Sequence, residues 1–177
     1  MIVVLLGYMG CGKSTVGQIL AKNLKTNFLD LDDYIEQKQN TSISEIFNTK
    51  GELFFRTIES DAVKQLCHNF DSLVLALGGG TPCYSDTMQF LVNHPNVKTV
   101  FLNLSIKNLS DRLIHEKAKR PLIANLNDAD YQNFELHASE EHELVVKILS
   151  YAGVIIRAAD ITQAAAAKEQ QIIQSER

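Results

Sequence analysis

The chain has 177 residues, 45% hydrophobic and 21% charged, enough for one domain with a substantial core. Its 17 basic and 21 acidic residues leave a net charge of −4, which argues against a general nucleic-acid binder and leaves any bound phosphate to a local site. There is no run of 18 apolar residues and no basic-then-apolar leader, and Cys11, Cys67 and Cys83 are odd in number and widely spaced. The expectation is a cytoplasmic chain with reduced thiols, no membrane contact and no metal-thiolate site.

In chain order, MIVVLLG is a β-branched run ending in glycine, the pattern of a buried strand. KSTVGQILAKNL predicts a helix with Val16, Ile19, Leu20 and Leu24 on one face. NFLDLD reads as a second strand. Ser42, with Glu45 three residues on, is a capping box opening SISEIF, and the helical pattern restarts through GELFFRTIESDAVKQL. SLVLALGGG and KTVFLNL predict two further strands. SIKNLSDRLIHE predicts a helix capped by Ser105, GVIIRA a last strand and TQAAAAKEQQII a closing helix. Strands alternating with helices imply a parallel sheet covered on both faces. The stretch from about 115 to 135 lacks periodicity and holds His115, Lys117, Lys119 and Arg120, the character of a loop closing over a site.

Gly7-Tyr8-Met9-Gly10-Cys11-Gly12-Lys13-Ser14-Thr15 fits the P-loop pattern G-x-x-x-x-G-K-[ST], between a predicted strand and a predicted helix. Its glycines let backbone N–H groups turn inward on phosphate oxygens, and the helix N-terminus adds partial positive charge. Lys13 reaches the terminal phosphates of a nucleoside triphosphate, and the Ser14 hydroxyl suits Mg²⁺. No apolar run ends in Asp-Glu, as a motor ATPase would carry, and Asn-Lys-x-Asp for guanine is missing. A compact phosphotransferase is the favoured class.

NFLDLDD places three acids just beyond this loop. Ligands of a doubly wound sheet lie beyond the carboxyl ends of its strands, which puts Asp30 and Asp32 near the γ-phosphate. Strand alternation would send both to one face, with Asp33 capping the next helix. One carboxylate would hold Mg²⁺ through water, and the other would take a proton from an acceptor hydroxyl. Gly78-Gly79-Gly80 mark a second close approach of backbone to ligand. Arg56, with Glu59 at i+3, suits a substrate carboxylate, although such a pair also reads as a surface salt bridge.

Taken together, GYMGCGKST, FLDLD, SISEIF with GELFFRTIE, LALGGGTPC and KRPLI resemble the shikimate kinase family in order and separation over about residues 1–125. The resemblance implies an α/β three-layer P-loop NTPase fold, with a five-stranded parallel sheet in the order 2-3-1-4-5, flanked by helices. It implies one kinase domain over 1–177 with a lid at about 115–128, acting as a monomer. The implied reaction moves the γ-phosphate of ATP to the 3-hydroxyl of shikimate, a step of aromatic amino-acid biosynthesis, with Mg²⁺. Gly10, Cys11, Gly12, Lys13, Ser14 and Thr15 would then hold ATP, with Ser14 on the metal and Asp30 near it through water. Lys13, Asp32 and Arg120 would be catalytic. Asp32, Arg56 and Gly78 to Gly80 would meet shikimate, with Arg112 flanking adenine and Arg120 approaching the phosphates.

The chain departs from the family further on. The family's C-terminal helix reads Leu-x-x-x-Arg-x-x-x-Tyr, and its Arg is a second clamp on the substrate carboxylate. Here the stretch is HASEEHELVVKILSYAG, and the position falls at Leu144 or Val145, with Lys147 the nearest cation and no Arg between Arg120 and Arg157. Two rivals therefore stand beside the kinase: a related kinase of another polyol acid such as gluconate, and a nucleotide-binding protein with a degenerate substrate site.

Overall fold

The computed structural model describes residues 1–105, 108–109 and, for the backbone, 154–157. A parallel sheet of five strands has the order β2-β3-β1-β4-β5, where β1 is Ile2–Leu6, β2 Asn27–Asp30, β3 Leu73–Ala76, β4 Val97–Asn103 and β5 Val154–Arg157. This is the order that the resemblance implied. Central β1 pairs with β3 from Ile2↔Leu73 to Leu5↔Ala76 and with β4 from Ile2↔Val97 to Leu6↔Phe101. All five residues of β1 and all four of β3 are buried, because a central parallel strand is covered on both faces.

Alternation divides the core. Ile2, Val4 and Leu6 join Leu73 and Leu75 beneath Ile35, Ile46, Phe55, Val63 and Leu66, which come from α2 (Leu31–Gln39) and α3 (Ile43–Asn69). Val3 and Leu5 face the other way, with Val74 and with Ala21 of α1 (Lys13–Leu24). The face of α1 differs from the expected one. Gly17 and Ala21 are its buried residues, with Val16 and Leu20 beside them, while Ile19 and Leu24 are exposed. The cause is close docking: a Cβ on Gly17 would stand 2.3 Å from Phe28 Cε2 and 3.1 Å from Leu5 Cδ1. Small residues let the helix backbone reach the sheet, and that rotates the larger residues outward.

The second strand is shorter than expected. It ends at Asp30, and Leu31, fully buried, already begins α2. Asp30 rather than Asp33 is the N-cap, its side chain accepting from Asp32 N at 3.2 Å. Asp32 and Asp33 lie in the first helical turn, where the helix dipole favours negative charge. Strand alternation therefore does not place Asp32; the helix does.

Ser42 caps α3 as its sequence predicts, accepting from Glu45 N at 3.2 Å, while Glu36 Oε1 accepts from Ile43 N at 2.8 Å. The predicted restart of the helix is a break at Gly51 (φ 79°, ψ 170°), a conformation reserved in practice for glycine. A 3₁₀ turn at Thr81–Cys83 follows β3 and leads to α4 (Thr87–Asn93). Ser105 begins a turn with Leu109 N donating to its carbonyl at 2.9 Å; the rest of that predicted helix lies outside the described residues. So do the closing helix and the stretch 115–135.

Candidate active site

The loop between β1 and α1 is built by glycine conformations. Gly10 (φ 78°) and Gly12 (φ 97°, the N-cap of α1) adopt left-handed backbone, which turns the chain back on itself beneath the start of α1. Cys11 is buried in the turn, against Tyr8, Leu102, Leu104 and Leu109. Lys13 lies across the loop, its Nζ donating to Gly7 O at 2.7 Å and Tyr8 O at 3.1 Å. Ser14 and Thr15 are exposed at the first turn. The helix N-terminus, an ammonium and two hydroxyls thus share one mouth.

Into this mouth comes the acid cluster. Ser14 Oγ donates to Asp30 Oδ2 at 2.7 Å. Asp32 is half-buried and its carboxyl pKa is pushed up to about 6, first by loss of water and then by the charges of Asp30 and Glu59, with Lys13 opposing. A carboxylate tuned to about 6 suits a proton acceptor near neutral pH.

The three glycines after β3 each make room for a different group. A Cβ on Gly78 would stand 2.9 Å from Glu59 Oε1 and Thr81 Oγ1 and 3.2 Å from Asp32 Oδ1. On Gly79 it would stand 3.3 Å from Met9 N of the phosphate loop, and on Gly80 3.2 Å from both terminal nitrogens of Arg56. None of the three has a positive φ, so space rather than backbone freedom selects glycine here. The segment thereby lies close to the acids, the phosphate loop and the arginine in succession.

Arg56 is a half-buried side chain held by one buried and one exposed carboxylate. Its Nη1 donates to Glu59 Oε2 at 3.0 Å, and its Nη2 and Nε reach Glu52 Oε1 at 3.2 and 3.3 Å. The guanidinium lies 4.2 Å from the Tyr84 ring centre and 5.3 Å from that of Phe55. Burial alone would lower its pKa, but the hydrogen bond and charge of Glu59 outweigh that and leave it above its ordinary value. Glu59 is only 1% exposed and also accepts from Thr81 Oγ1 at 2.5 Å. A buried carboxylate is tolerable only when bonded in this way. Sequence reading found Glu59 but missed Glu52, Thr81 and Tyr84. The spacing 52-56-59 in GELFFRTIE carries the signal for Glu52; nothing local in the sequence joins Thr81 or Tyr84 to α3.

Among the sequence-predicted site residues, Arg112, Arg120, Leu144, Val145 and Lys147 lie outside the described residues. Arg157 is placed by its backbone: it closes β5 opposite Asn103. That is three strands from β3, about 14 Å at about 4.8 Å per strand.

The family model for shikimate kinase matches residues 9–174 of this chain. The chain belongs to the shikimate kinase family. It is 46% identical over 132 residues to a shikimate kinase of Flavobacterium johnsoniae, covering 75% of this chain and 76% of that one. The crystal structure of shikimate kinase from Bacteroides thetaiotaomicron superposes with a TM-score of 0.82 at 30% identity, over 98% of both chains. That of the Acinetobacter baumannii enzyme in complex with shikimate gives 0.74 at 31% identity, over 99% of this chain and 94% of that one. The match to the shikimate kinase model extends to residue 174, past Leu144 and Val145.

Proposed function

We propose that this chain transfers the γ-phosphate of ATP to the 3-hydroxyl of shikimate, giving shikimate 3-phosphate and ADP. The observation that carries the reading is the Asp32 carboxylate, half-buried with its pKa near 6, held where the phosphate loop and the Arg56–Glu59 pair meet across Gly78 to Gly80. In this reading Asp32 takes the acceptor's hydroxyl proton as that oxygen bonds to the γ-phosphorus. The bond from the γ-phosphorus to the β–γ bridging oxygen breaks, and ADP leaves with its electrons. Lys13 exchanges its contacts with Gly7 O and Tyr8 O for phosphate oxygens and offsets charge on the transferring group. Arg56 receives the acceptor's carboxylate, gripped from behind by Glu59, and Gly79 lets the acceptor approach the backbone.

Gly10 to Thr15 would cradle the phosphates of ATP. Ser14 and Asp30 place a hydroxyl and a carboxylate oxygen side by side, the hard-oxygen chemistry that Mg²⁺ takes. Among the described residues no three His, Cys, Asp or Glu side chains form a metal site by themselves. An ion would be held jointly by Ser14, by Asp30 through water and by phosphate oxygens, where it would neutralise developing charge. Arg120 at the phosphates, Arg112 beside adenine, a lid at about 115–128 in a single kinase domain, a monomeric state and a cytoplasmic location belong to the same proposal and rest on the sequence. No described helix is long and apolar enough to cross a membrane.

The test is a coupled ADP-release assay with shikimate, gluconate and a small panel of hydroxy acids. Release dependent on shikimate is expected. Release with gluconate alone would replace the acceptor, and none with any acid would leave only nucleotide binding.

A further inference from the structure

The two carboxylates that hold Arg56 are unequal. Glu59 is 2% exposed in its side chain, bonded to Thr81 and placed within 3.0 Å of Nη1. Glu52 is 53% exposed in its side chain and spans Nε and Nη2 with a single oxygen, Oε1, at 3.3 and 3.2 Å. The Glu52 contacts are longer than the 3.0 Å bond to Glu59 and both fall on one solvent-exposed oxygen, which makes Glu52 the weaker of the two partners. Glu52 also directly follows Gly51, whose surroundings are open: a Cβ there would meet nothing within 4 Å. Turning the Glu52 side chain into water breaks no buried bond. The Tyr84 side chain, itself exposed, also hydrogen-bonds Glu52, so the exchange gives up that bond too, while the ring contacts of Tyr84 and Phe55 go on holding the guanidinium.

An incoming carboxylate presents two oxygens to the Nε–Nη2 edge, where Glu52 offers one. We infer that Glu52 is an internal stand-in for the acceptor's carboxylate: it occupies the edge of Arg56 that the acceptor takes, and binding exchanges one carboxylate for the other. This rests on the reading above in which Arg56 receives the acceptor. The exchange keeps the buried guanidinium compensated before and after binding. It also sets a threshold that an acceptor without a carboxylate does not meet, because such a molecule cannot displace the glutamate. Glu52 is thus a specificity-determining residue that weakens binding of the correct acid by the worth of one exposed ion pair.

The experiment compares wild type with Glu52→Gln and Glu52→Ala, measuring KM for shikimate and, by calorimetry, the dissociation constant of 1-cyclohexenecarboxylate. Removal of the competitor should tighten both about twofold to fivefold, as expected for an exposed pair. A merely structural role for Glu52 would loosen Arg56 and weaken both, so unchanged or weaker binding, or no binding of 1-cyclohexenecarboxylate to any of the three proteins, overturns the inference. If wild type fails to phosphorylate shikimate while the variants still bind 1-cyclohexenecarboxylate more tightly, the exchange stands and the assignment of the acceptor falls.

Discussion

The Ser14 hydroxyl donates to Asp30 Oδ2 at 2.7 Å, tying the first turn of α1 to the end of β2. The strands that lead into these two elements are not neighbours: β3 lies between β2 and β1. One side-chain bond therefore sets the phosphate loop against the acid cluster across an intervening strand. The other oxygen of Asp30 caps α2 and so fixes the turn that carries Asp32. The P-loop and the helical turn that carries Asp32 are registered through a single carboxylate.

Ser14→Ala should therefore do more than remove one oxygen from the metal. Asp30 keeps its cap but loses its tie to α1, and the water-mediated contact proposed between it and Mg²⁺ would lose its orientation. We expect apparent Mg²⁺ affinity to fall about 10- to 100-fold, the range seen when groups that orient metal ligands are removed. Titrating activity with Mg²⁺ at fixed ATP checks it; an unchanged Mg²⁺ curve would remove Ser14 from the metal site.

Asp32 links activity to pH in one direction and stability in the other. As the proposed base it must be ionised, so kcat/KM for the acceptor should fall below about pH 6 with a slope of one. Its folded pKa of about 6 exceeds the ordinary 3.8, so between those values the unfolded chain has released a proton that the folded chain keeps. Stability from this group is therefore present at low pH, is lost as pH rises from about 4 to 6 and stays lost above. The cost of holding the charge is on the order of 3 kcal/mol at neutral pH. Asp32→Asn should cut kcat by orders of magnitude while raising the thermal midpoint at pH 7. A variant with unaltered kcat would show that Asp32 neither takes the proton nor orients the hydroxyl.

Gly80→Ala tests the arginine without touching its charge. The new methyl would sit 3.2 Å from both Nη atoms of Arg56, tighter than ordinary contact, and the guanidinium is already boxed by Glu59, Glu52 and Tyr84. Displacing it should raise KM for shikimate about tenfold or more, the loss of one charge-assisted bond, and leave KM for ATP alone. Steady-state kinetics with each substrate varied decides it. A rise in KM for ATP instead would mean that the glycines serve the phosphate loop.

How much of this was legible beforehand depended on whether the signal was local. The P-loop, the strand runs and the Ser42 cap are written in adjacent residues, and the sheet order followed from the family pattern. The failures were contests between local rules. FLDLD satisfies strand alternation, yet an aspartate ready to cap a helix ended the strand at Asp30. The face of α1 was misjudged because apolar periodicity counts large residues, whereas close docking on Phe28 selected Gly17 and Ala21. Thr81 and Tyr84 reach α3 only through the turn after β3, a relation that spacing along the chain does not encode.

The last prediction concerns the second clamp on the carboxylate. We place the position of the family's C-terminal arginine at Leu144 or Val145 in this sequence, where Lys147 is the nearest cation. The position lies outside the described residues, but two facts bear on it. The Arg56 guanidinium is already shared between two glutamates, and the backbone of Arg157 closes β5, three strands from β3. A carboxylate leaving water for one arginine, or for one arginine and a strongly hydrated lysine, recovers less than it would between two guanidinium forks. Each charge-assisted bond is worth about 1.5–3 kcal/mol, so one lost contact corresponds to roughly 10- to 150-fold weaker binding. KM for shikimate should accordingly be high beside an ordinary KM for ATP. Leu144→Arg or Val145→Arg should lower KM for shikimate at least several-fold in one of the two variants, with KM for ATP as the control. Tight shikimate binding by the native protein, improved by neither variant, would show that other residues complete the clamp and that the alignment beyond residue 130 is displaced.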